Sequence, residues 1–281
     1  MAAGPDDLRV GLALGGGAAQ GFAHILVLEV LDELGLRPSA IAATSMGAVI
    51  GAAYAAGMSG AEIRRHAIDV FRSRSKFLGR LWQMRPRQLD EIAIGIGQYD
   101  LERALGIFLP EGLPDQISDL PIRFKAVATD YYSGDEAVLG DGPLIRAVAA
   151  SAAVPMLFRP VLVGGRVMVD GNLCNPVPFD VLDDVDFVIA SDVVTEPTGG
   201  ADRIPGSLES LFGATSILIR SLMMQKLKAG PAPDVLIRMP TAAFNILDFT
   251  KAAAIMDACE PMKDEVRRRL ETALAERTSL S

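Results

Sequence analysis

Two short apolar runs near the start of the chain each lead straight into a helix-forming run, and this alternation constrains the fold more than any other feature. The first, Arg9-Val10-Gly11-Leu12-Ala13-Leu14, ends in Gly15-Gly16-Gly17, as a buried strand does when it enters a glycine loop. From Ala18 a helix is expected, with Phe22, Ile25, Leu26 and Val30 at helical spacing beside Glu29, Asp32 and Glu33, and with Gly35 closing it. A second strand is expected over Ala40 to Thr44, and a second helix from Met46 to Ala56, stopped by Gly57. Strand, helix, strand and helix in so short a span call for an α/β fold opening on a parallel sheet.

The second junction places a serine on the corner. In Ile41-Ala42-Ala43-Thr44-Ser45-Met46-Gly47-Ala48-Val49-Ile50-Gly51, small and β-branched residues run into Ser45 and helix formers follow at once. A serine on such a strand–turn–helix joint has its hydroxyl exposed over the helix N-terminus. Backbones come close there, so flanking positions must be small, and Gly47 fits. Ala43 stands where the G-x-S-x-G pattern has its first glycine, so the pattern is met in a relaxed form. The bland alternative is a serine that only caps a helix.

Further strands are expected over Ile122 to Thr129, Ala137 to Leu139, Phe187 to Ala190 and Val235 to Met239. Val161-Leu162-Val163, Gly164-Gly165 and Arg166 to Val169 form a hairpin by their glycine turn, and the hairpin ends on Asp170-Gly171-Asn172. Leu144 to Ala153 reads as a helix stopped by Pro155, and Leu208, Leu211, Phe212, Leu218, Ile219 and Leu222 as an amphipathic one. Residues 195–206 are loop-like, and residues 249 to about 277 read as one long helix. With no internal repeat and no low-complexity linker, one continuous domain over residues 1–281 is expected.

Composition narrows the partners. The net charge of −8 argues against nucleic acid. Met1-Ala2-Ala3-Gly4-Pro5-Asp6-Asp7 is no ordinary signal peptide. The apolar windows around 41–58 and 208–224 are too interrupted to span a membrane. Cys174 and Cys259 are expected as small buried hydrophobes in a reducing compartment, which places the protein in the cytoplasm. Residues 60–109 look helical or irregular. Between Arg64 and Arg87 they hold eight basic residues and one acid, Asp69, interleaved with Phe71, Phe77, Leu78, Leu81 and Trp82. This stretch is either a solvated helical face or a lid that meets anionic headgroups peripherally at the inner membrane surface.

Three features belong together if the chain is a serine hydrolase: the glycine loop, Ser45 and Asp170. Gly15, Gly16 and Gly17 at a strand end offer backbone N–H groups that can hold a phosphate or a developing oxyanion. An activated serine needs a base, and the chain has only His24 and His66. No histidine follows residue 66, so the serine–acid–histidine order of an α/β-hydrolase cannot be built. His24 reads as structural and His66, among charges, as exposed. What remains is a serine–carboxylate dyad with Asp170 as base, against the simpler reading of Asp170-Gly171 as a hairpin turn. No cluster of histidines and cysteines suggests a metal, and no cofactor is called for.

Four blocks together resemble the bacterial patatin-like phospholipases: Gly15 to His24, the elbow Ala43 to Gly47, Ala150-Ser151-Ala152-Ala153-Val154-Pro155, and Asp170-Gly171-Asn172 with Asn175-Pro176-Val177-Pro178. Order and spacing agree over roughly residues 9–195, and Val127-Ala128-Thr129-Asp130 with Ser133-Gly134 resembles a further, structural block. The resemblance implies a three-layer α/β/α fold with a mainly parallel central sheet. It implies a Ser-Asp dyad hydrolase that cleaves acyl esters of lipids, with Ser45 as nucleophile and Asp170 as base. The oxyanion hole would come from the N–H groups of Gly16 and Gly17, joined by Gly15 or Ala18, with Ala43, Gly47 and Gly171 supporting elbow and dyad. The chain departs from the family at Ala43, usually glycine, and at Gln20, usually arginine or lysine. Those departures keep open a catalytically weak regulatory or scaffold member. A nucleotide-binding protein using Gly15-x-Gly17-x-x-x-Gly21, with Asp32 or Glu33 as its acid, is the other alternative.

Overall fold

The computed structural model describes residues 8–71, 100–195 and 204–280. Among the described residues, eight strands form one mixed sheet: β1 (Val10–Leu14), β2 (Ala40–Thr44), β3 (Arg123–Asp130), β4 (Glu136–Leu139), β5 (Val161–Val163), β6 (Arg166–Asp170), β7 (Phe187–Asp192) and β8 (Val235–Arg238). The hydrogen-bonded order is β5-β6-β3-β2-β1-β7-β8, with β4 also on β3. The ladders β3–β2, β2–β1, β1–β7 and β7–β8 are parallel, and β3–β4, β3–β6 and β5–β6 are antiparallel. The expected mainly parallel sheet is therefore present, with an antiparallel flank.

Eight α-helices pack with the sheet in the described part: α1 (His24–Glu33), α2 (Met46–Ala55), α3 (Gly60–Phe71), α4 (Leu101–Phe108), α5 (Leu144–Ser151), α6 (Ser207–Ala229), α7 (Ala252–Cys259) and α8 (Met262–Leu280). Alternation along β1 separates the two faces of the sheet. Leu12 and Leu14 point into a large core with Ile25, Leu28, Ile41 and Ile255, whereas Ala13 joins Val177, Phe179, Ala190 and Met223 in a small one. The three layers are thus unequal, thick on the side of α1 and α2 and thin on the side of residues 176–182 and the end of α6.

Several expectations are corrected. The segment after the glycine loop is a 3-10 helix, Ala18–Ala23, and the α-helix starts only at His24; Ala18, at the joint, takes a φ of 47°. The long C-terminal helix is two helices, α7 and α8, separated at Pro261, which has no N–H to continue the first. α5 ends at Ser151 rather than Ala153, since the residue before Pro155 is driven out of helical geometry. Cys259 is buried as expected, but Cys174 is only half-buried. The glycine turn behaves as read: Gly164 and Gly165 have φ of 58° and 78°, as a two-residue type I′ hairpin requires. Of the basic stretch, residues 72–87 lie outside the described residues. Within it, Arg64 is no free cation, because it forms a two-pronged pair with Glu29 of α1 and a further bond to Glu260.

Candidate active site

Sheet register explains how residues 125 positions apart meet. On β3, Val127 pairs with Thr44, the last residue of β2, and Ala128 pairs with Asp170, the last residue of β6. β4 occupies the other edge of β3 from Ala126 to Thr129, so β2 and β6 share one edge and abut end to end. The Ser45 Oγ–H donates to Asp170 Oδ2 at 2.7 Å.

Ser45 stands at the joint of β2 and α2 with φ 54° and ψ −122°, a conformation that strains any residue with a side chain. Its hydroxyl makes no capping bond to α2, so the helix-cap alternative fails. The strained corner is held from three sides. Ser45 N donates to Ser151 Oγ at 2.9 Å, and that hydroxyl donates to Val127 O at 2.6 Å. Thr44 Oγ1 donates to Asn175 O at 2.8 Å. A Cβ on Gly47 would lie 2.4 Å from Leu14 O, so only glycine lets α2 approach the end of β1. Ala43 is accommodated because Gly51 faces it without a side chain; even a Cβ there would stand 3.4 Å from that of Ala43.

Asp170 is fixed just as closely. Its Oδ1 accepts from Asn172 N at 2.9 Å, its N donates to Ala153 O at 3.1 Å, and its O accepts from Thr129 Oγ1 at 2.9 Å. A Cβ on Gly171 would strike Val127 O at 2.1 Å. Burial pushes the Asp170 carboxyl up to about 6, against hydrogen bonds from Ser45 and from the backbone and side chain of Asn172 that favour its charged form. The Asn172 side chain lies flat against Gly16, where a Cβ would come within 2.1 Å of its Nδ2. Asn172 Oδ1 is, among the described residues, the one buried side-chain oxygen or nitrogen without a hydrogen-bond partner.

The glycine loop needs a correction in detail. Gly15 N donates to Ser191 O at 2.9 Å and Gly16 N to Pro176 O at 3.0 Å, so neither is left to hold an anion. Of the four residues put forward, Gly17 and Ala18 keep N–H groups without a donor contact among the described residues. The loop is braced by His24, whose Nε2 donates to Gly15 O at 2.8 Å while Nδ1 accepts from Ser191 Oγ at 2.8 Å. Burial holds that imidazole down to about 4, hence neutral. His24 is structural, as read. Gln20 Nε2 ties the loop to Phe244 O at 2.8 Å and Thr195 Oγ1 at 3.1 Å. The nucleotide alternative loses its parts: the Asp32 carboxylate accepts from Tyr54 Oη and Gly60 N, and Glu33 is paired with Lys263 and Arg267.

Two hollows meet at Ser45. One, about 140 Å³, is apolar, walled by Phe22, Ile25, Val49, Leu105, Phe71 and Phe249, the last two stacked with ring centroids 6.1 Å apart. His66 lines it and is half-buried, not exposed as expected. The other, about 250 Å³, holds Asp170, Asn172 and Gln20 on one side and Phe212, Thr215 and Ile219 of α6 on the other. A strained hydroxyl bonded to a buried carboxylate, two free amides nearby and an apolar hollow can carry out acyl transfer from an ester with a long apolar acyl part. Among the described residues no group of histidine, cysteine, aspartate and glutamate could hold a metal ion, and no helix is long and apolar enough to cross a membrane.

Ser151, Asn172 and Thr129 sit in quoted blocks, but their contacts could not be read from the sequence. Their one signal was that small polar residues stood inside otherwise apolar runs.

Comparison with known proteins finds relatives and a matching fold. The chain is 37% identical over 175 residues to an uncharacterized NTE family protein of Mycobacterium tuberculosis, covering 62% of this chain and 46% of that one. It is 30% identical over 190 residues to lysophospholipase nte1 of Aspergillus fumigatus, covering 66% of this chain and 12% of that one. The chain therefore spans less than half the length of these relatives. Among solved structures, VipD from Legionella pneumophila superposes with a TM-score of 0.52 at 14% identity, over 93% of this chain and 66% of that one, which shows a shared fold. Residues 12–183, more than half of the chain, match the family described as Patatin-like phospholipase, and the protein belongs to that family.

Proposed function

We propose that the protein is a serine hydrolase of lipid acyl esters, with Ser45 as nucleophile and Asp170 as general base. The observation that carries this is the 2.7 Å hydrogen bond from a strained, uncapped serine to a buried carboxyl raised to about 6. Such a carboxylate is ionised at neutral pH and is a far better proton acceptor than one in water. Asp170 takes the Ser45 proton as Oγ attacks the ester carbonyl. The carbonyl oxygen becomes an oxyanion held by the N–H groups of Gly17 and Ala18 and by the positive end of α2. Asp170 then returns the proton to the leaving alcohol, and the acyl group stays on Ser45. In the second half Asp170 takes a proton from water, which attacks the acyl carbonyl, and the returned proton frees Ser45.

The apolar hollow suits the acyl chain, and the cleft along α6 suits the leaving group. The family and the lysophospholipase among the relatives support a lipid ester as the substrate class. Fluorophosphonate labelling followed by peptide mapping tests the dyad. A single adduct on Ser45 is expected, absent in Ser45→Ala and much slower in Asp170→Asn. A folded wild-type protein that takes no label would sink the hydrolase reading and leave the regulatory or scaffold alternative.

A further inference from the structure

α6 is built unlike the other helices. Residues 210–219 carry no charge, and residues 210–229 hold Arg220, Lys226 and Lys228 with no acid, in a chain of net charge −8. Met223 is its one buried residue among the described side chains. Ile217 and Leu218 are 56% and 70% exposed. Leu211, Ala214, Leu218 and Ser221, at spacings of three and four, form an outward stripe. Leu211 also belongs to the wall that Phe212, Thr215 and Ile219 turn toward the cleft at Ser45. Across the cleft, Leu173 and Leu247 are likewise exposed. An apolar patch thus rims the entrance to the site.

A contiguous exposed apolar patch marks an interaction surface. Two observations choose its partner. The patch runs into the cleft, so whatever covers it lies against the entrance to Ser45; a bilayer there delivers substrate, whereas a protein there blocks it. The outward stripe also continues through Gln225 to the exposed Lys228, whereas Lys226 is turned in to Asp180, and a cation at the end of an apolar face complements anionic headgroups. We propose that the outward face of α6, with Leu247 beside it, seats the protein on an anionic lipid bilayer with the mouth of the cleft against the lipid. This rests on the lipid hydrolase reading and adds to it the docking surface, on a helix outside the basic stretch 64–87.

The test uses the full chain with vesicles of phosphatidylcholine alone or mixed with phosphatidylglycerol, read by flotation. Turnover of a soluble short-chain nitrophenyl ester serves as the control. Ile217→Asp with Leu218→Asp is expected to weaken binding to the mixed vesicles by about tenfold or more while leaving soluble-ester turnover unchanged. Neither residue lines the cleft. Leu218→Trp is expected to bind more tightly and to show blue-shifted emission on vesicles, against a background of one native tryptophan. Equal vesicle binding by wild type and the double variant would overturn the proposal. So would a dimer, seen by sedimentation, that the double variant dissolves without change in vesicle binding. Absent turnover of the soluble ester by wild type would instead count against the hydrolase reading, because flotation measures docking separately.

Discussion

Replacing Asp170 with asparagine is expected to stabilise the fold as it removes the proposed base. Burial raises the carboxyl from its ordinary 3.8 to about 6. A shift of roughly two units corresponds to about 3 kcal/mol, since each unit is worth about 1.4 kcal/mol. Between those two pH values the native carboxyl keeps its proton and the unfolded one has lost it. The native state then binds more protons, so stability falls as pH rises, and the full penalty is present above about pH 6. Asparagine carries no charge, accepts from Asn172 N and donates to Ser45 Oγ. The amide fits the hydrogen bonds of this site less well than a protonated carboxyl does, at a cost of about 1 kcal/mol. The net gain at pH 8 is therefore about 2 kcal/mol, shrinking to near zero or below at pH 4.

His24 makes the comparison sharper. Its imidazole is held down to about 4 by burial, so on acidification through its ordinary 6.5 the unfolded state takes up a proton that the native state refuses. That term loses stability as pH falls, opposite in sign to the Asp170 term and similar in size and range. In wild type the two largely offset each other between about pH 4 and 6.5; in Asp170→Asn the His24 slope stands exposed. Urea denaturation of both proteins from pH 4 to 8 measures the difference, in which every other titrating group cancels. A difference that does not change with pH, or a variant less stable than wild type at pH 8, would refute the assignment of a buried, raised carboxyl.

The same carboxyl sets the expected acid limb: kcat/KM on a soluble ester rises through pH about 6 as Asp170 ionises. Asn172→Ala is expected to move that limb to higher pH, since it removes a hydrogen bond that favours the charged form, whereas a purely structural loss would lower activity without moving it. Ser45→Gly and Ser45→Ala are both expected to be inactive, with the glycine variant more stable by about 1 kcal/mol in thermal denaturation because glycine adopts φ 54° without strain. Gly171→Ala forces a Cβ to within 2.1 Å of Val127 O and is expected to lose about 3 kcal/mol or more together with all labelling at Ser45.

What the sequence made legible follows from the range of each interaction. The elbow could be read because its constraints are local: a strand of small residues, a serine and a glycine two positions on, where any Cβ meets Leu14 O. The pairing of Ser45 with Asp170 followed by elimination of histidine and by resemblance, yet its physical cause is the register of three strands, which no local pattern encodes. The free amides of the glycine loop were only half legible for the same reason. Three glycines announce a loop free of side chains but not which amides stay free, and that is decided by carbonyls from distant parts of the chain, Ser191 O and Pro176 O. The motif Asn175-Pro176-Val177-Pro178 thereby gains a physical role: Pro176 O takes the Gly16 amide, and Asn175 O takes the Thr44 hydroxyl beside Ser45. Asn175 also accepts from Lys226 of α6. One short loop thus ties the glycine loop, the elbow and α6 to the strand end that presents Asp170.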